Sequence, residues 1–90
     1  MTRSDVEFQV HEFLMSNFIF DPAVSLGPDD SLLESDIVDS TGVLEVIMWL
    51  ETTYNIKVED SEVLPENLDS VRYMTNFILR KLDADVAIAS

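Results

Sequence analysis

The chain has 90 residues, of which 47% are hydrophobic, 18 are Asp or Glu and 5 are Lys or Arg, and its formal charge is −13. This apolar content is too high for a disordered segment, and the length suits a single small domain, residues 1–90, with little room for a deep enzyme pocket. The negative charge disfavours nucleic acid and anionic lipid as partners, and the absence of cysteine excludes disulfides and thiolate metal sites.

A first helix is predicted over residues 4–20. Its apolar residues recur every three or four positions along one side: Val6, Val10, Phe13, Leu14 and Phe18. Ser4 is placed to cap the start of this helix, and Pro22 marks the latest position at which it can end.

A long segment without helical periodicity follows, residues 21–39. Long loops in small domains usually have a function or are disordered. Here Ser31 and Glu34 can form one capped turn, and several aliphatic residues can hold the segment on the core. These residues are Leu26, Leu32, Leu33, Ile37 and Val38. We therefore expect an ordered loop.

The second helix is predicted from Ser40 to Tyr54, with Asn55 as its stop. Its buried stripe consists of Val43, Val46, Ile47, Leu50 and Tyr54. Trp49 is expected at the edge of the core rather than in a partner contact.

Two more helical segments complete the prediction. A short one covers residues 61–68 and is interrupted or begun anew at Pro65, and a last helix covers residues 70–82. The inward positions of the last helix are Val71, Met74, Ile78 and Leu82. Residues 84–90 are expected to form a frayed tail. The predicted fold class is all-α: a small four-helix bundle of three main helices and one short helix, with a long ordered loop between the first two helices.

The residue types weigh against several chemistries. A Ser-His-Asp hydrolase needs a histidine beside its serine, and the only histidine, His11, lies inside the first helix. An acidic cluster in the loop, Asp29, Asp30, Glu34 and Asp36, lacks the spacing of a calcium-binding loop. We therefore expect neither catalytic activity nor a metal site.

Serine follows aspartate at four places: Ser31, Ser40, Ser61 and Ser70. Each can be an ordinary helix N-cap, worth ~1 kcal/mol. The start of a helix also favours an attached anion such as a phosphate, by about 0.3 to 1 kcal/mol. Only Ser40 stands at the end of the long loop and before a helix without any positive charge.

Residues 30–78, DSLLESDIVDSTGVLEVIMWLETTYNIKVEDSEVLPENLDSVRYMTNFI, resemble a stand-alone acyl carrier protein. The resemblance implies that Ser40 carries a 4′-phosphopantetheine arm derived from coenzyme A. It also implies that Asp39 helps to position the reacting serine and a metal ion in the modifying transferase. The partner-docking face that it implies consists of Thr41, Leu44, Glu45, Met48 and Glu51.

Two residues depart from the pattern of this family. Thr41 stands where many members have Leu, and Gly42 lowers helix propensity by ~1 kcal/mol relative to Ala. Both residues fall where partners would dock, so they affect which partner enzymes recognise this helix.

The resemblance further implies a carrier without catalysis of its own that works in trans. Its partners would be a phosphopantetheinyl transferase, an acyl- or aminoacyl-loading ligase, and downstream synthase or transferase enzymes with basic docking patches. The cargo, held as a thioester, could be a fatty acyl, a polyketide extender or an aminoacyl group, and the acidity leans slightly toward fatty acid or polyketide biosynthesis.

Location and assembly are expectations from the composition. The N-terminus lacks a basic region followed by an apolar run, and no apolar run approaches the roughly 18 residues of a membrane span. We expect a cytoplasmic monomer. One other function remains open: an unmodified acidic helical interaction module in which Ser40 is only a helix N-cap. A third, a calcium sensor, is weakened by the missing calcium-loop pattern.

Overall fold

Four α-helices and one 3₁₀ turn are found in the part of the chain that the structure describes. The structure is a computed structural model, and it describes residues 2–19 and 23–89, with side chains up to Leu82. The helices are α1 (Arg3–Asn17), α2 (Ser40–Tyr54), α3 (Pro65–Leu68) and α4 (Val71–Ala89), and the 3₁₀ turn is Asp60–Glu62. No strand occurs in these ranges, so the prediction of a small all-α bundle is confirmed.

Helix α1 begins earlier than the sequence pattern predicted. The hydroxyl of Thr2 accepts a hydrogen bond from the Asp5 backbone N–H at 3.2 Å, and the Asp5 carboxylate accepts one from the Thr2 N–H at 3.3 Å. This reciprocal pair satisfies two N–H groups that a helix start leaves unpaired. Ser4 therefore lies inside the helix, and the prediction that it is the cap is wrong. The helix ends at Asn17, before the predicted end at residue 20.

The loop before α2 is held on the core through part of its apolar set. Leu26, Leu32 and Val38 are buried, as predicted, and Ile37 is half-buried. Leu33 was predicted to face the core, but its side chain is 42% exposed. The capped turn is confirmed, because the Glu34 N–H donates to the Ser31 hydroxyl at 3.2 Å. Residues 20–22, including Pro22, lie outside the described residues.

Helix α2 has the predicted bounds and the predicted buried face. Val46, Leu50 and Tyr54 are buried, with Val43 and Ile47 half-buried beside them. Asn55 ends the helix in the left-handed conformation, with φ 54°, which asparagine tolerates better than most residues.

The segment after α2 is divided in two. The predicted helix over 61–68 is a 3₁₀ turn followed by α3, which begins anew at Pro65 because proline suits the first helical position. The Glu62 carboxylate binds the Lys81 ammonium at 2.9 Å and ties the turn to α4. The pKa of Glu62 is lowered by the hydrogen bond from the Glu59 backbone N–H and by Lys81.

Helix α4 extends beyond its predicted end. The Ser70 hydroxyl accepts a hydrogen bond from the Tyr73 N–H at 3.0 Å and caps the start. Val71, Met74 and Ile78 are buried as predicted, whereas Leu82 is only half-buried. The backbone remains helical to Ala89, where a frayed tail was expected from residue 84, and Ser90 lies outside the described residues.

Aromatic side chains join α1 to α2 at the edge of the core. The Phe13 and Trp49 rings stack with centroids 4.3 Å apart, and Trp49 meets Tyr54 edge-on at 5.6 Å. Trp49 is half-buried against the core, as predicted. The Tyr54 hydroxyl donates to the Gln9 side-chain oxygen at 2.6 Å, and burial raises the pKa of Tyr54 to about 12.

Replacing Tyr54 by Phe should remove this hydrogen bond and lower the free energy of unfolding by ~1 kcal/mol at neutral pH. In the wild type the folded state holds the phenol proton more tightly than the unfolded chain does. The stabilisation is therefore complete below pH 10 and is lost as the pH rises from 10 to about 12. Urea unfolding followed by circular dichroism, repeated across this pH range, measures both effects.

The matched control is Tyr73→Phe, which removes an exposed phenol and should leave the unfolding free energy unchanged. Parallel stability curves for wild type and Tyr54→Phe between pH 10 and 12 would contradict the assignment.

Candidate functional site

Two of the four Asp-Ser serines are engaged in holding the fold together. The Ser31 hydroxyl donates to the Asp69 carboxylate at 2.6 Å and accepts the Glu34 N–H, so it ties the loop to the segment before α4. Ser70 is only 3% exposed, and its hydroxyl caps α4. Neither hydroxyl is available to an incoming enzyme.

Ser61 and Ser40 are both exposed but differ in their setting. Ser61 lies in the three-residue 3₁₀ turn, which has no extended run of aligned peptide dipoles. Ser40 is the first residue of the 15-residue helix α2. Within the described residues, no hydrogen bond involves the Ser40 hydroxyl.

The cap of α2 is Asp39 rather than Ser40. The backbone of Asp39 is extended, and its carboxylate accepts the Gly42 N–H at 2.7 Å. Of the four serines that could each be an ordinary N-cap, Ser40 is therefore not one, and capping does not account for it. Because the Asp39 carboxylate accepts the hydrogen bond from the N–H group at the helix start, the Ser40 hydroxyl is not used as a cap, and Ser40 is exposed.

An open cleft of about 340 Å³ lies next to the start of α2. The end of α1 forms one wall, and the end of the loop and the first turns of α2 form the rest. Its lining residues are Asn17, Phe18, Asp36, Ile37, Asp39, Thr41, Gly42 and Glu45. Gly42, which the sequence placed among the partner contacts, is buried here.

The predicted docking face, Thr41, Leu44, Glu45, Met48 and Glu51, is largely open to solvent. Leu44 is 62% exposed, and Met48, one turn further along, is 67% exposed. Thr41, before Leu44, and Glu45, between Leu44 and Met48, are exposed as well. Glu51 differs, since it is half-buried and its carboxylate accepts the Val58 N–H at 3.0 Å. It holds the chain after α2 in place.

An apolar groove that the sequence did not indicate lies beside this face. It has a volume of about 110 Å³ and is lined by Leu32, Leu33, Val38, Val43, Val63, Leu64, Pro65, Leu68 and Asp69. Leu33, Val63 and Leu64 are each more than a third exposed along it. The groove joins residues from three separate segments, so no local sequence pattern marks it.

Helix α2 carries only acidic charges, whereas α4 carries charges of both signs. None of the five cationic residues belongs to α2, and Arg72, Arg80 and Lys81 all belong to α4. In the loop, Asp29 pairs with Arg72 at 2.6 Å and Asp30 accepts the Gly27 N–H at 2.8 Å. Across residues 2–19 and 23–82, whose side chains the structure describes, no three His, Asp or Glu side chains are grouped as a metal site would need.

The fold and the site together define a small helical bundle that presents one exposed serine at the start of an acidic helix. No protein-family model matches the chain. D-alanyl carrier proteins of Streptococcus pyogenes serotype M5 (strain Manfredo), serotype M49 (strain NZ131) and serotype M1 are each 43% identical to it over 44 residues.

These alignments cover 49% of this chain and 56% of each relative. The chain thus spans about half the length of the curated relatives that it matches. Within the described residues, no helix is long and apolar enough to cross a membrane.

The position of the cap leads to a contrast between neighbouring residues. Asp39→Ala should lower the free energy of unfolding by ~1 kcal/mol, because the Gly42 N–H loses its acceptor, and Asp39→Asn should restore most of it. Ser40→Ala should change it by less than ~0.5 kcal/mol. Urea unfolding of the three variants tests the assignment, and a larger loss for Ser40→Ala than for Asp39→Ala would refute it.

Proposed function

We propose that this protein is a carrier that bears a 4′-phosphopantetheine arm on Ser40 and has no catalytic activity of its own. A phosphopantetheinyl transferase joins the phosphopantetheine group of coenzyme A to the Ser40 oxygen; the pyrophosphate bond of coenzyme A breaks, adenosine 3′,5′-bisphosphate leaves, and the hydroxyl proton is released. The terminal thiol then holds a cargo as a thioester. The observation that carries the proposal is the Ser40 hydroxyl at the start of a long helix, which is exposed and has no hydrogen bond to any of the residues that the structure describes.

The chain's own groups suit an attached phosphate at this position. The N-terminal end of α2 carries a partial positive charge from the aligned peptide dipoles, which stabilises a nearby anion by about 0.3 to 1 kcal/mol. Asp39 keeps the first turn formed through its bond to the Gly42 N–H. The helix start therefore remains ordered when Ser40 is modified.

The docking face supplies the recognition of partners. Leu44 and Met48 offer two apolar contacts one turn apart, and the exposed carboxylate of Glu45 lies between them in the sequence. Complementary charge raises encounter rates, and small apolar contacts set the register. The fitting partner is an enzyme whose surface combines basic residues with shallow apolar pockets.

The similarity also bears on the cargo. Composition alone leaned slightly toward fatty acyl or polyketide groups, whereas the relatives are D-alanyl carrier proteins. We therefore favour an aminoacyl cargo, loaded by a ligase that activates the amino acid, with a downstream transferase as the acceptor.

Incubation with coenzyme A and a broad-specificity phosphopantetheinyl transferase should add the mass of one phosphopantetheine group per chain, measured by intact mass spectrometry. Ser40→Ala should abolish the addition, and Ser61→Ala, at the other exposed Asp-Ser pair, should leave it intact. An adduct that survives Ser40→Ala, or no adduct on the folded wild type, would rule the proposal out in favour of an unmodified interaction module.

Charge on the docking face should control the modification rate. Glu45→Lys should raise the KM of the transferase for this protein about tenfold at low ionic strength, with less effect at high salt. Glu12→Lys, the same charge change on an exposed position of α1, should alter KM much less. Equal effects of the two substitutions would indicate that net charge, not this face, governs the encounter.

A further inference from the structure

Gly42 lies where three parts of the chain converge beneath the start of α2. A Cβ atom built on Gly42 would stand 2.9 Å from Cε1 of Phe18, 3.2 Å from Cγ1 of Val38 and 3.3 Å from Oδ1 of Asp39. These atoms belong to the residue after α1, the end of the loop and the cap of α2. The first of these distances is too short for a real Cβ atom.

The need for glycine here is steric. Gly42 has no positive φ, so its backbone is one that any residue can adopt. Alanine would favour the helix more than glycine does. Its absence is therefore explained by the close approach of Phe18 and not by backbone conformation.

Phe18 is held by one ring contact and by its backbone. Its ring meets the Phe13 ring edge-on with centroids 5.8 Å apart, and Phe13 in turn stacks on Trp49 of α2. Its backbone N–H donates to the Leu14 carbonyl at 2.9 Å. A side chain at position 42 would therefore have to displace the Phe18 ring, the first turn of α2, or both.

We propose that Gly42 and Phe18 form a positioning contact for the modification of Ser40. By admitting the Phe18 ring, Gly42 lets the end of α1 press on the first turn of α2, which sets where the Ser40 hydroxyl stands relative to a transferase docked on this helix. Gly42 is thus a positioning residue beneath the site. The inference rests on the proposed function and deepens it.

The contact has a definite kinetic consequence. Of the docking face, Leu44 and Met48 lie about one and two turns beyond Ser40, so a shift confined to the first turn moves Thr41 but leaves these two in place. Misplacing a reacting group by about 1 Å can cost as much as a hundredfold in rate. Loss of the contact should therefore lower kcat while KM for this protein changes little.

A double-mutant cycle tests the contact. Gly42→Ala should lower the kcat of pantetheine transfer about tenfold or more, with KM within about twofold of the wild type. Phe18→Leu on the Gly42→Ala background makes room for the new Cβ and should restore kcat to within about threefold of the wild type. Thr53→Ala, at an exposed position near the other end of α2, is the matched control and should leave both constants unchanged.

Each outcome decides between packing and positioning. Wild-type kcat in a Gly42→Ala protein that has only become less stable to urea would overturn the inference, and so would a double variant that recovers stability but not kcat. If Gly42→Ala does not fold, Phe18→Ala tests the same contact by removing the ring: kcat should again fall with KM unchanged, and an unchanged kcat would overturn it. A folded wild type that gains no arm would instead refute the proposed function itself.

Discussion

The start of α2 depends on Asp69, which holds the long loop against the segment before α4. Its carboxylate accepts hydrogen bonds from the Ser31 hydroxyl and the Leu33 N–H, and its carbonyl accepts one from the Leu32 N–H. The Leu32 carbonyl in turn accepts the Val38 N–H at 3.2 Å. Ordering a loop of this length costs conformational entropy, and the hydrogen bonds to Asp69 help to offset that cost. Through it, Val38, the residue before the α2 cap, is tied by way of Leu32 to the segment before α4.

The elements that the sequence predicted well are those with strong local signals. The apolar stripe of α2 predicted which face of the helix is buried, and Asn55, which tolerates the left-handed conformation, predicted where the helix ends. The caps were less predictable, because Asp and Ser are almost equally good N-caps and two such residues stand together at 39 and 40. Only the extended backbone of Asp39 decides between them, and it depends on how the loop arrives. The same ambiguity, with Thr2 and Ser4, displaced the predicted start of α1.

Contacts between distant segments could not be predicted from periodicity. Leu33 is as apolar as a core residue, yet its side chain is 42% exposed, whereas Leu32 and Val38 of the same loop are buried. The burial of Gly42 depends on Phe18, which lies on the other side of the loop in the sequence. A glycine in the first turn of a helix indicates a local weakness in the sequence, whereas in the fold it admits the Phe18 ring close to the first turn of α2.

Trp49 gives the molecule an optical property that its sequence alone would not suggest. It is the only tryptophan in the chain, and it stacks on Phe13, which touches Phe18 beside the first turn of α2. A row of rings therefore connects the indole to the neighbourhood of Ser40. Since indole emission responds to the packing and hydration of its surroundings, the protein contains its own fluorescent reporter of the joint between α1 and α2, with no label attached.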